Sequence, residues 1–65
     1  MTLEICGGAL DGKMVSGPIK EITWTIDGEN FIVVEFRYDR RDRKILIPAG
    51  SEPKAGVELW LERHA

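Results

Sequence analysis

Apolar and polar positions alternate most cleanly from Glu21 to Ile26, where Ile22, Trp24 and Ile26 fall on one side and Glu21, Thr23 and Thr25 on the other. A period of two over six residues predicts a half-buried antiparallel strand. From Phe31 to Tyr38 the pattern changes along the segment: Phe31, Ile32, Val33 and Val34 are apolar on both faces, and Glu35, Phe36, Arg37 and Tyr38 then alternate. Such a strand is central at one end and half-exposed at the other. Lys44–Ile47 predicts a third strand, stopped by Pro48, which has no N–H to give to a ladder. The polar stretches Asp27–Asn30 and Asp39–Arg43 connect the three. The middle of the chain therefore predicts a three-stranded antiparallel meander with the core on one side of it.

The flanks carry shorter signals. Thr2–Cys6 alternates, with Leu3 and Ile5 on one face and Thr2, Glu4 and Cys6 on the other, and Gly7-Gly8 ends it. Ala9-Leu10-Asp11-Gly12 reads as a turn, and Lys13–Ser16 as an edge strand closed by Gly17-Pro18. Gly50, Ser51, Pro53 and Gly56 mark a loop. The tail Val57–Glu62 alternates up to Leu61, which favours a closing strand. It also fits a helix that gathers Val57, Trp60, Leu61 and His64 on one face, and periodicity leaves both readings open. Five or six short strands with tight turns predict an all-β domain over residues 1–65, a small antiparallel barrel, SH3-like or partly open, built on the central meander.

Composition narrows what such a domain can be. A chain of 65 residues buries only roughly 60% of the surface that its unfolded form exposes. With one cysteine and one histidine it forms neither an internal disulfide nor a zinc site, so the core or a second subunit has to supply the stability. Hydrophobic residues at 43% and charged residues at 31% are those of a folded soluble protein. No apolar run has the length of a membrane span, and the first residues do not look like a signal peptide; with an unpaired cysteine, the expectation is the cytoplasm. The net charge of −2 is unevenly spread. Residues 37–44 hold Arg37, Arg40, Arg41, Arg43 and Lys44 against Asp39 and Asp42, which leaves the rest of the chain at −5.

Few residues offer chemistry. His64 stands one residue from the C-terminus, where a general base is poorly held, and Cys6 reads as a small packing residue. Gly7–Lys13 lacks the glycine spacing and the Ser or Thr after lysine of a nucleotide-binding loop. No catalytic residue, cofactor, metal ligand or small-molecule substrate is expected. Two features point to binding instead. The basic tip Arg37, Tyr38, Arg40, Arg41, Arg43 and Lys44 fits a phosphate backbone with an aromatic beside it, or a solvated hairpin whose aspartates pair internally, or a surface for an acidic protein. Trp60, between Glu58 and Glu62 in the strand reading, is an exposed tryptophan of the kind found at interfaces, whereas Trp24 belongs to the core.

Two resemblances add to this. The opening Cys6-Gly7-Gly8-Ala9-Leu10-Asp11-Gly12-Lys13-Met14-Val15 resembles the Gly-Gly-x-x-Asp-Gly start of small β-proteins of tailed bacteriophages and prophages, with alanine where those have proline. That likeness implies a phage-derived accessory protein, in the host cytoplasm or on the virion. The pattern from Leu10–Val15 through Ile22, Gly28 and Ile32-Val33-Val34 to Ile47-Pro48 is similar to PRC-barrel domains, which implies a small barrel that associates with protein or RNA. The expected function is a non-catalytic protein-interaction or assembly module that binds a partner or itself through Trp60. Its alternative is a nucleic-acid-binding barrel that uses Arg37–Lys44.

Overall fold

A computed structural model describes residues 2–17 and 23–64. The elements are β1 (Thr2–Ile5), β2 (Met14–Ser16), β3 (Thr23–Ile26), β4 (Glu29–Tyr38), β5 (Arg41–Pro48) and α1 (Pro53–His64). Five strands form one curled sheet, a partly open barrel, in the order β2-β1-β5-β4-β3. The expected strands from Glu21 and Lys13 are present as β3 and β2. Pro18, Glu21 and Ile22 themselves lie outside the described residues.

The meander is confirmed, with tighter turns than the polar stretches imply. Ile26 pairs with Glu29 across Asp27-Gly28, both at positive φ (51° and 80°). This is the two-residue hairpin turn whose twist matches the strands, and Asp-Gly suits it because glycine meets no steric penalty there. Tyr38 pairs with Arg41 across Asp39-Arg40 in the same conformation, at φ 52° and 62°. The expected five-residue tip Asp39–Arg43 is thus corrected to two residues, and Arg41, Asp42 and Arg43 belong to β5.

Three further expectations are corrected. The sheet is mixed: β1 lies parallel to β5, with Glu4 opposite Ile45 and Ile5 opposite Leu46. Local alternation does not encode that long-range pairing. Both faces of the sheet are covered, rather than one. Leu3, Ile5, Phe31 and Leu46 are buried on the face inside the curl, and Cys6, Ile45, Ile47 and Trp60 on the other. Ile45, Leu46 and Ile47 are each 0% exposed, which is why that run is continuously apolar.

The tail is a helix, not a closing strand. Pro53 starts it at the position where a missing N–H costs nothing, and the Glu52 carbonyl accepts from Ala55 N–H (3.1 Å) and Gly56 N–H (3.4 Å). Arg63 and His64 in the last turn face the negative end of the helix dipole. Gly56 and Trp60, one turn apart, are its buried residues. Gly56 lets the helix approach β5: a Cβ there would come within 2.4 Å of Ile47 Cγ2 and 3.5 Å of Ile45 Cδ1.

Candidate binding surface

Among the described residues, the outer part of the β4–β5 hairpin is a two-stranded ribbon. Among the same described residues, β3 pairs with β4 only over Glu29–Ile32, and β1 pairs with β5 only at Ile45 and Leu46. From Glu35 to Lys44 the two strands pair with each other. Directly opposed residues share a face of an antiparallel pair. On one face Lys44 stands across from Glu35 (Nζ to Oε2, 3.8 Å) and Arg37 across from Asp42, so the charges there cancel. On the other, Phe36 stands across from Arg43 and Tyr38 across from Arg41. Asp39 and Arg40 cancel at the tip. The excess positive charge of the ribbon therefore belongs to the aromatic face, on Arg41 and Arg43.

Trp60 of α1 packs on that face, and its expected exposure is corrected: it is 9% exposed, because its helical position points it at the sheet. Its ring meets Phe36 and Tyr38 edge-on, at centroid distances of 5.1 and 5.3 Å, and stacks on His64 at 4.5 Å. The Arg43 guanidinium lies 5.5 Å from the Trp60 ring centre and 5.9 Å from that of Tyr38. Such cation–π contacts contribute roughly 0.5–2 kcal/mol each.

The binding residues named from sequence thus divide. Tyr38, Arg43 and Trp60 come together; Arg41 is exposed on their face; Arg40 is exposed at the tip; Arg37 and Lys44 lie on the opposite face. Sequence reasoning missed Phe36 and His64 as members of the cluster. The helical alternative for the tail, which put Trp60 and His64 on one face, was the signal that would have found His64.

A polar clasp fixes the end of α1 that carries these rings. The Glu4 carboxylate accepts from Arg63 Nη1 (2.5 Å) and His64 Nε2 (2.8 Å), and Arg63 Nη2 also pairs with Asp11. Asp11 Oδ1 in turn accepts the Gly7 N–H at 2.7 Å, which occupies the glycine loop internally and agrees with its reading as a turn. Burial pushes the Glu4 carboxyl upward, but the hydrogen bonds and charges of His64 and Arg63 outweigh it and hold the group below its ordinary value. Asp11 is held below its ordinary value by the Arg63 hydrogen bond and the Gly7 N–H.

A carboxylate with a depressed folded-state pKa contributes stability that is complete above its unfolded pKa and lost as pH falls through the folded one. The melting temperature is therefore expected to be flat near neutrality and to fall from about pH 4 downward. In a Glu4→Gln/Asp11→Asn double variant, thermal melts at pH 7 and pH 3 lie closer together. Equal pH dependence in the two proteins would place the acid-sensitive groups elsewhere.

Cys6 is 1% exposed, and burial, aided by the Glu4 charge, pushes its thiol up to about 12. It stays protonated at neutral pH and acts in packing. Among the described residues no group of three His, Cys, Asp or Glu side chains could hold a metal ion, and no helix is long and apolar enough to cross a membrane.

The described residues form a small mixed-sheet domain with one helix and a two-stranded ribbon that is basic on its aromatic face. No family model, curated protein or solved structure matches the chain.

Proposed function

We propose that the protein is a non-catalytic binding module whose ribbon, residues 35–44, engages the phosphate backbone of nucleic acid. The observation that carries this reading is the separation of charge between the two ribbon faces: one neutralises itself, and the other keeps Arg41 and Arg43 beside the exposed tip arginine, Arg40. Arg40 adds a second reason. It holds φ 62°, a left-handed conformation that costs a residue with a Cβ about 1–2 kcal/mol and that glycine adopts freely. A cation kept at a tip where glycine would be more stable fits a functional role, since local strain gathers at such sites.

The rings of the ribbon are covered by Trp60 and by each other, so the contacts are to phosphate rather than base stacks, and affinity follows salt. With two or three phosphates engaged, log K falls with log salt at a slope of about 2–3 on duplex DNA. Arg40→Gly is expected to raise the melting temperature while lowering that slope by about one, read by fluorescence anisotropy of a labelled duplex. Binding that ignores salt, or an unchanged slope in Arg40→Gly, counts against the ribbon.

Protein interaction or assembly, in a phage-derived accessory protein, is the second reading. Burial of Trp60 removes the residue on which it rested. What favours it is the edge strand β2, where Met14 is 55% exposed, the one large apolar side chain so exposed among the described residues. An SH3-like closure and the likeness to PRC-barrel domains are compatible with either partner.

A further inference from the structure

Arg43 is a half-buried cation without an acceptor. Its Nε is closed off from water with no hydrogen-bond partner, and among the described residues its guanidinium makes no ion pair, only the two ring contacts. Packing rather than hydrogen bonding holds it, so the remaining donors of the fork are unused. A guanidinium is a planar fork suited to oxyanions, and a partly desolvated cation with idle donors gains most from a bound anion.

Beside it lies a groove of about 260 Å³, where β1 and β5 diverge, lined by Glu4, Asp42, Arg43, Lys44, Trp60 and His64 among others. Of the acids of this lining, Glu4 is held in ion pairs by Arg63 and His64, and Asp42 is exposed on the ribbon face away from Arg43. On the Arg43 side of the groove the free hydrogen-bonding capacity is chiefly that of a donor, the Arg43 guanidinium.

From this we infer that the groove seats one phosphate group, gripped by the Arg43 guanidinium, which Tyr38 and Trp60 hold in place. The inference rests on the reading of the ribbon as a nucleic-acid surface and names its anchor: Arg40 and Arg41 follow the backbone, and Arg43 takes the phosphate that enters the groove. Arg41 and Arg43, two positions apart on β5, lie on one face about 7 Å apart along the strand.

The test follows two signals by NMR, the Arg43 Nε–Hε and the Trp60 indole N–H, during titration with inorganic phosphate and, separately, with a 12-base-pair DNA duplex. Wild type is expected to shift both signals with either probe. Arg43→Gln should bind phosphate at least about tenfold more weakly, and Arg43→Lys, which keeps the charge but not the fork, should also lose affinity. Amide dispersion shows that each variant is folded. Phosphate that leaves both signals unmoved, or Arg43→Gln that titrates like wild type, overturns the seat. If the duplex still binds with its salt dependence in that variant, the ribbon reading survives alone. If phosphate shifts Arg43 but no duplex binds, the seat stands and the ribbon reading falls.

Discussion

Gly56→Ala lowers the stability of the domain by about 2 kcal/mol, although alanine is the better helix former. Helix propensity alone would make the change stabilising by about 1 kcal/mol. The added methyl, however, would stand 2.4 Å from Ile47 Cγ2, and Ile47 is 0% exposed and β-branched, so it has no free rotamer to retreat into. Overpacking of this kind costs about 1–3 kcal/mol, and a contact this short belongs at or above the upper end. For a chain of this size a net 2 kcal/mol corresponds to a fall in melting temperature of roughly 15 °C. Ala55, one residue earlier and exposed, is the control: Ala55→Gly loses only about 1 kcal/mol, through propensity. A Gly56→Ala protein that melts above wild type would mean that α1 does not pack on β5 at this distance.

Trp60→Ala is expected to unfold the domain. The indole is 9% exposed and touches Phe36, Tyr38, His64 and Arg43, so truncation removes the largest side chain from the layer between helix and sheet. Truncating a buried aromatic costs about 3–5 kcal/mol. A single core of fewer than about 70 residues supplies a stability of the same size. Circular dichroism and amide dispersion of Trp60→Ala should be those of an unfolded chain, while Trp60→Phe, which keeps a ring against Phe36 and Tyr38, stays folded. A folded Trp60→Ala protein that has merely lost self-association would restore the exposed tryptophan inferred from the strand reading.

That reversal shows where the sequence was legible. The meander could be read from local patterning, but the cover on both faces of Ile45-Leu46-Ile47 was not, because the core was expected on one side of the sheet only. The helix was obscured by Gly56, which reads as a breaker but is required by the close approach to Ile47. It was obscured again by Val57, Leu59 and Leu61, which alternate as well as they wind. The site failed on register. With a five-residue tip, Arg41 and Arg43 belong to a loop and the basic segment is one undivided patch. With a two-residue tip, Arg43 falls opposite Phe36 and Lys44 opposite Glu35, and the patch divides into a neutral face and a basic one. Nothing in Asp39-Arg40 announces that turn, since arginine is a poor residue for φ 62°.

The measurement that bears most directly on the ribbon is an amide NMR titration of the isotope-labelled protein with duplex DNA at two salt concentrations. Shifts are expected at Arg40, Arg41 and Arg43 with their strand neighbours at low salt, smaller shifts at Arg37 and Lys44 on the neutral face, and recovery of all of them at high salt. Shifts confined to β2 around Met14, or none along residues 35–44 at low salt, would contradict it.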